Sequence, residues 1–433
     1  MVDLLLVNGF AYINKRYRDV SIGITGEKIS YIGKEKVPAK RTIDLRHSRI
    51  LPGFIDPHVH FELYCGTITS RDDFYYGGKT ASYGGVTTII DFLDPSRNAQ
   101  ELEETYKSRL ALAKKCGVDY HFHACIREPN GDLEAYVLKM KELGINTVKL
   151  FTTYSETHRR TYDKDIISLL KLSNKYHFVV EAHIEKDEYI KHDENLTYKD
   201  LPDARSEEAE TEEALKLCGY AVKTKGHLYM VHCSSGHTLQ SIVESYEKYI
   251  GENIFIESCP QYFVFNNTVL KKENGYLYTF APPLRSEESR KLLCKYFDYI
   301  SCIGTDHCSF NKEDKQSHTL LKGMPLGVGG IESSFLIMYE MFGEKVIDKM
   351  CKNVAKIQRF ANKNGIKVGN YADLVIMSSD PQVVKKPHGK ANYSIYEGMH
   401  LSNTIVSTLV RGKFAVKNGK FYKTTGQLVN CEK

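Results

Sequence analysis

The chain has 433 residues, 42% of them hydrophobic, enough for two or three domains or for one large barrel with an appendage. Lys and Arg outnumber Asp and Glu by only 59 to 54, and no basic block interleaved with aromatics occurs, so nucleic acid is excluded as an expected partner. Neither a signal-peptide pattern at the start, "MVDLLLVNGFAYINKRYRD", nor a run of about 18 apolar residues is present, which predicts a cytoplasmic protein with no membrane partner.

Residues 1–50 read as short strands broken by glycine, as in "DVSIGITGEKISYIGK". From residue 51 onward eight apolar or β-branched runs follow: "LPGFIDPHVH" (51–60), "VTTIIDFL" (86–93), "YHFHACI" (120–126), "TVKLF" (147–151), "FVVEAH" (178–183), "LYMVHCS" (228–234), "IFIESCP" (254–260) and "SCIGTD" (301–306). Between most of them stand segments of helical period, such as "ELEETYKSRLALAKKCG" and "KDIISLLKLSNKY". Eight β-then-α units predict an α/β fold, a TIM-like (β/α)8 barrel over 51–371. Strand-like runs return over 372–433 ("ADLVIMSSDP", "STLVRGKFAVKNGKF") and are expected to join 1–50 in a small β-sandwich that ends in a C-terminal tail. The 11 cysteines form no CxxC pair, so they signal neither a disulfide framework nor a thiolate zinc site.

Reactive groups of such a barrel sit at the C-terminal ends of its strands. Here strand 1 ends in His58 and His60, strand 4 carries Lys149, strand 5 ends in His183, strand 6 in His232 and strand 8 in Asp306. His58 and His60 are two apart on a strand, so both face the barrel interior and can share one metal. Taken singly, each group has a structural alternative: polar histidines satisfied by neighbours, a capping Asp306, a Lys149 whose stem lines the barrel while its head reaches solvent. Asp56 is placed to orient a ligand histidine. His121, His123, His237 and His307 lack strand-end geometry. A buried Lys149 is pushed toward its neutral amine, which can add carbon dioxide to form an anionic carbamate able to bridge two metals. Four histidines, an aspartate and such a carbamate describe two adjacent, incompletely coordinated sites. Nitrogen and oxygen donors suit Zn2+, with Mn2+, Co2+ or Fe2+ as alternatives.

The blocks "DDFYYGGKTASYGGVTTIIDF", "TVKLFTTY", "ESCPQYFVF", "APPLRSEESR", "CIGTDHCSF" and "VGNYADLVI", in that order, resemble the hydantoinase/dihydropyrimidinase family of cyclic amidohydrolases over nearly the whole chain. The resemblance implies that His58, His60 and Asp306 hold one metal, that His183 and His232 hold a second, and that carboxylated Lys149 bridges them. It also implies that the Tyr154 hydroxyl donates to the substrate carbonyl, that Asp306 shuttles the proton, and that backbone groups at Ala281 and Leu326 contact the ring amide. The implied reaction opens a cyclic amide, a small molecule of hydantoin or dihydropyrimidine type, to an N-carbamoyl amino acid. The implied assembly is a homotetramer or homodimer. Two loops depart from the family's usual Ser-Pro-Pro-Leu-Arg and Pro-Asn-Gly, reading "APPLR" and "PLG", which makes the pocket less polar and points to a 5-substituted ring. Alternatives are an allantoinase, a dihydroorotase-like enzyme, against which Glu62 stands where an arginine is common, or a non-catalytic scaffold.

Overall fold

Strands buried on both faces need near-continuous apolar sequence, and eight such strands close a barrel in the computed structural model, which describes residues 1–35, 37–66 and 68–432. They are strand 1 (Phe54–Val59), strand 2 (Val86–Phe92), strand 3 (Asp119–Cys125), strand 4 (Thr147–Phe151), strand 5 (Val179–His183), strand 6 (Leu228–Met230), strand 7 (Ile254–Ser258) and strand 8 (Cys302–Ile303). They pair in chain order and in parallel, with Cys125 beside Lys149 and Lys149 beside Glu181. The ring closes between strand 1 and the segment after strand 8, where Val59 bridges His307 and the His60 amide donates to the His307 carbonyl at 2.9 Å. The (β/α)8 fold expected from the eight runs is therefore present.

Helices separate the strands, and side-chain caps start most of them. Asn98 accepts from the amides of Gln100 and Glu101 at the head of Ala99–Ala113, and Ser206 and Ser235 do the same for Glu207–Thr224 and Gly236–Tyr246. Strands 6 and 8 are shorter than their apolar runs suggest. Just beyond them His232 and Asp306 take φ of 40° and 51°, a left-handed conformation that no extended strand can pass through. The run 51–60 is likewise not one strand. Arg49–Pro52 belongs to a different sheet, and at the joint Gly53 lets the Thr87 and Asp373 side chains pack where a Cβ would clash.

That other sheet has seven strands and draws on both chain ends. Leu374–Ser378 runs antiparallel to Arg49–Pro52 on one side and to Thr404–Val410 on the other, and Phe10–Ile13 continues the sheet. A four-stranded sheet containing Val2–Val7 and Ser21–Thr25 packs on it through Leu4, Leu6, Ile22, Ile24, Ile50, Leu374 and Leu409. The final segment then returns to the barrel, where the Tyr120 amide donates to the Gln427 carbonyl at 3.0 Å and the Val429 amide to the Tyr120 carbonyl at 2.9 Å.

A buried ion cluster fastens the two-sheet unit to the barrel. Lys363 Nζ lies 2.7 Å from Asp119 Oδ2 at the start of strand 3 and 2.6 Å from Asp373 Oδ2, while Arg411 Nε reaches the same Asp119 oxygen at 2.7 Å and its Nη1 reaches Glu27 at 3.0 Å. Burial alone would push the Lys363 amine down, but Asp373 and Asp119 outweigh it and hold the amine above its ordinary value. Removing the cation would leave Asp119 with the Arg411 guanidinium as its charged partner and Asp373 with only the Arg411 amide among the described residues; breaking a buried ion pair costs about 3–5 kcal/mol in comparable cases. Lys363→Ala is expected to lower the free energy of unfolding in urea by an amount of that order, and with it the midpoint, while exposed Lys345→Ala leaves both unchanged. Equal midpoints for the two variants would show that the cluster does not hold the junction.

Candidate metal centre and active site

Strand 1 delivers two imidazoles to one side of the barrel mouth. His58 Nδ1 is 2.8 Å from Glu257 Oε1, so its Nε2 points the other way, 3.2 Å from His60 Nε2 and 3.2 Å from Asp306 Oδ1. His60 Nε2 lies 3.0 Å from the same Asp306 oxygen, and the ligand atoms of His58, His60 and Asp306 all fall within 4.8 Å of one another. Glu257, on strand 7, is held by the Tyr229 hydroxyl at 2.7 Å and the His232 amide at 3.1 Å. Asp56 does not orient a ring as the sequence suggested. Its carboxylate accepts from the His58 amide at 3.1 Å and from the Thr305 amide and hydroxyl at 3.1 and 2.6 Å, tying strand 1 to the segment that carries Asp306.

A second pair stands beside the first. His183 Nδ1 faces His232 Nε2 at 3.0 Å, and the His58 and His232 ring centroids are 5.4 Å apart. His183 turns its Nε2 to Glu185 at 2.7 Å, and Arg205 grips that carboxylate through Nε, 3.1 Å from each oxygen, and through Nη2. Burial holds the His58 and His232 imidazoles well below their usual value of 6.5, so both are neutral near pH 7, the form that ligates a metal.

Lys149 is 2% exposed, and its Nζ makes no hydrogen bond or ion pair among the described residues. The amine sits 5.0 Å from the Phe92 ring centroid and 5.4 Å from that of Phe151. Burial pushes it below its ordinary value, with Glu181, Glu257 and Asp306 pulling in the opposite direction. It is close enough to His58, His183 and His232 to disfavour protonation of each. Asp306 is the reverse case: burial raises it, and His58, His60 and Lys149 more than offset this and favour the carboxylate.

Tyr154 follows strand 4 with a φ of 69°. Its ring lies 5.3 Å from that of His183, and the Arg205 guanidinium stands 4.8 Å over its face. Burial raises the phenol above its ordinary value, keeping it a proton donor. With His232 and Asp306 it makes three left-handed, non-glycine residues in one mouth, the kind of local strain that collects at functional sites. Ala281 and Leu326 are half-buried and lie on loops joined by the Gly327 amide donating to Thr279 O at 3.1 Å and by buried Lys315, which bonds Thr279 O at 2.7 Å and Pro325 O at 3.1 Å. No hydrogen bond or ring contact links Ala281 or Leu326 to the histidines among the described residues. His123, His121, His307 and His237 are taken up by Thr147 and Pro57, by Val429, by Asp72 and by Glu207, outside the cluster.

The donor set suits a divalent metal. His60 Nδ1 and His232 Nδ1 are buried without a partner among the described residues, one Asp306 oxygen is shared by two imidazoles, and the cluster has nitrogen and oxygen donors with no thiolate. Sequence reasoning missed Glu257, Glu185 and Arg205. The signal available was two glutamates inside otherwise apolar runs, "IFIESCP" and "VVEAHIE", but the first lies 199 positions from the histidine it supports. A cavity of about 920 Å³ is lined by Phe10, His47, Arg49 and Ser378 of the two-sheet unit and by none of these groups.

Comparison with known proteins places the geometry. Residues 49–415 match the model of the Amidohydrolase family. The chain is 29% identical to a D-hydantoinase of Geobacillus stearothermophilus, covering 94% of this chain and 90% of that one, and 28% identical to a D-phenylhydantoinase of Escherichia coli, covering 89% and 88%. Among solved structures it superposes on a dihydropyrimidinase from Brevibacillus agri with a TM-score of 0.92 at 26% identity, and on a D-hydantoinase (dihydropyrimidinase) from Thermus sp. with 0.91 at 27%, each over 99% of both chains.

Carboxylates behind ligand histidines typically contribute 10- to 100-fold to metal affinity, so Glu257→Gln is expected to weaken Zn2+ binding by about that factor. Competition against a chromophoric chelator reads the change, and an unaltered affinity would remove Glu257 from the centre.

Proposed function

The chain belongs to the amidohydrolase family, and from that premise we propose that it opens a hydantoin- or dihydropyrimidine-type ring, carrying a substituent at position 5, to an N-carbamoyl amino acid. The family implies a metal centre, and the relatives named hydantoinase and dihydropyrimidinase act on cyclic amides. The observation that carries the reading is Lys149: a buried amine, without a hydrogen-bonding partner among the described residues, set among neutral imidazoles. A cation there would be repelled by any metal, whereas a carbamate would be held by two.

In this reading His58, His60 and Asp306 would hold one ion, His183 and His232 would hold the other, and a carboxylated Lys149 would serve both. Zn2+ fits the donor set best, with Mn2+, Co2+ or Fe2+ as alternatives. When bound, such a pair of ions supplies Lewis acidity to a carbonyl oxygen and brings the pKa of water toward neutrality. The remaining work falls to the chain. The barrel mouth, lined by Phe92, Phe151 and Tyr154, orients the ring. Tyr154 donates to the ring carbonyl oxygen as negative charge builds there, a contribution of about 3–4 kcal/mol for one well-placed donor. Asp306 takes the proton of the attacking water and returns it to the ring nitrogen as the C–N bond breaks, base first and acid second. The product carries a new carboxylate and a free ureido group.

The barrel over 51–371 is assigned the chemistry and the flanking segments, 1–50 and 372–433, the role of support. A homotetramer or homodimer is proposed by analogy with the relatives alone. No helix is long and apolar enough to cross a membrane, and the 11 cysteines are all free, which suits a reducing compartment such as the cytoplasm.

Metal-loaded protein, assayed side by side on hydantoin, 5-phenylhydantoin, dihydrouracil, allantoin and dihydroorotate, is expected to open 5-phenylhydantoin fastest and the unsubstituted hydantoin and dihydrouracil more slowly. Tyr154→Phe is expected to lower kcat/KM by about 10²- to 10³-fold. Lys149→Ala is expected to lose both metal and turnover, with partial return of each on adding short carboxylic acids. Full metal content and turnover in Lys149→Ala would sink the carbamate, and exclusive action on allantoin or dihydroorotate would move the protein to the corresponding activity.

A further inference from the structure

The turn after strand 4 holds three basic side chains, and two of them are paired with carboxylates. Arg160 pairs with Asp187 at 3.1 Å and with Glu188 at 2.7 Å, and His158 lies 2.9 Å from Glu128. Arg159, between them, is half-buried, and among the described residues its guanidinium makes no hydrogen bond, ion pair or ring contact. Neither Glu156 on the same turn nor Asp94 after strand 2 bonds to Arg159 among the described residues. Its guanidinium therefore keeps five donors in a fixed fork available to an acceptor from outside the chain.

The position of Arg159 is fixed by backbone. Its amide donates to the Tyr154 carbonyl at 3.1 Å, and the Thr157 amide donates to the same oxygen at 3.2 Å. Asp187 secures the other side of the turn through the Thr153 hydroxyl at 3.0 Å and the Ser155 amide at 3.3 Å. Arg159 thus rides on the same closed turn as the phenol that faces His183. Its charge is felt at the Tyr154 phenol, at the Cys65 thiol beyond strand 1 and at the Cys125 thiol at the end of strand 3, three groups brought to the mouth by three strands.

Resting on the cyclic-amide reading above, we propose that Arg159 binds a carboxylate carried on the ring substituent, so that the preferred substrates are cyclic ureides with an acidic side chain. A planar guanidinium matches a carboxylate through two parallel hydrogen bonds. The carboxylate is placed on the substituent and not on the ring itself, because Arg159 stands five residues past Tyr154 on the turn, its amide tied to the Tyr154 carbonyl, while the end of strand 1 carries Glu62, whose Oε2 is buried without a partner among the described residues.

The test compares hydantoin-5-acetate with its neutral amide on the metal-loaded protein, in wild type, R159K and R159Q, after metal content and thermal midpoint have been matched. Wild type is expected to favour the acid in kcat/KM by about tenfold or more, R159Q to bring the ratio near unity and R159K to keep part of it, in line with a charge-assisted hydrogen-bonded pair. Calorimetric titration of hydantoin-5-acetate is expected to show a Kd about tenfold weaker in R159Q than in wild type. An acid-to-amide ratio that is the same in wild type and R159Q overturns the inference and leaves the ring-opening activity standing. If none of these rings is opened, the activity reading falls, and the titration still decides the role of Arg159: an unchanged Kd overturns it. A loss on dihydroorotate with none on hydantoin-5-acetate would also overturn it, by moving the carboxylate onto the ring.

Discussion

A buried imidazole has two nitrogens, and the one engaged by a carboxylate decides where the other points. Glu257 takes His58 Nδ1 and Glu185 takes His183 Nε2, so the free nitrogens are His58 Nε2 and His183 Nδ1, both directed into the barrel mouth. These contacts also set the tautomers, because a carboxylate accepts and each ring then presents a lone pair. Glu257 in turn depends on Tyr229 and on the His232 amide, and Glu185 on Arg205, whose other face covers Tyr154. The two glutamates therefore aim one ring of each histidine pair, and Arg205 carries that support on to the tyrosine.

The backbone is arranged to serve that network. A parallel strand that continued past Met230 or Ile303 would carry its side chains onward along the barrel axis. The left-handed turns at His232 and Asp306 instead fold these side chains back over the mouth. Such conformations persist only where surrounding contacts over-determine them. Here the supports are the Glu257 carboxylate on the His232 amide and the Asp56 carboxylate on the Thr305 amide and hydroxyl. The Lys363 cluster and the returning segment at 427–429 brace strand 3 from the opposite end, so the barrel floor is tied to both termini.

Electrostatics separates the inner mouth from its rim. Inside, burial keeps His58 and His232 neutral and lowers the Lys149 amine, a setting of low charge that favours capture of a metal by neutral donors. At the rim, Arg159 leaves a positive charge unbalanced beside Tyr154, while the loops reading "APPLR" and "PLG" place no charged side chain at Ala281 or Leu326. Among the described residues, the free cation of this arrangement lies at the rim and the neutral donors lie inside.

The sequence by itself determined the eight strands and their order, because alternation of apolar runs with helical periods is a local property set by which faces must be buried. It also marked His58, His60, Lys149, His183, His232 and Asp306 as groups at strand ends, since each interrupts an apolar run where the barrel opens. It could not show that 51–60 is divided between two sheets at Gly53, because the partners that pair with and pack on each half, Thr87 and Asp373 among them, come from elsewhere in the chain. Nor could it show that the His58 ring answers to Glu257 and not to neighbouring Asp56. Tertiary structure decided those points, along with the isolation of Arg159 and the neutrality of the buried rings. Partner choice and desolvation depend on which distant side chains share the same few ångströms, and no local pattern encodes that.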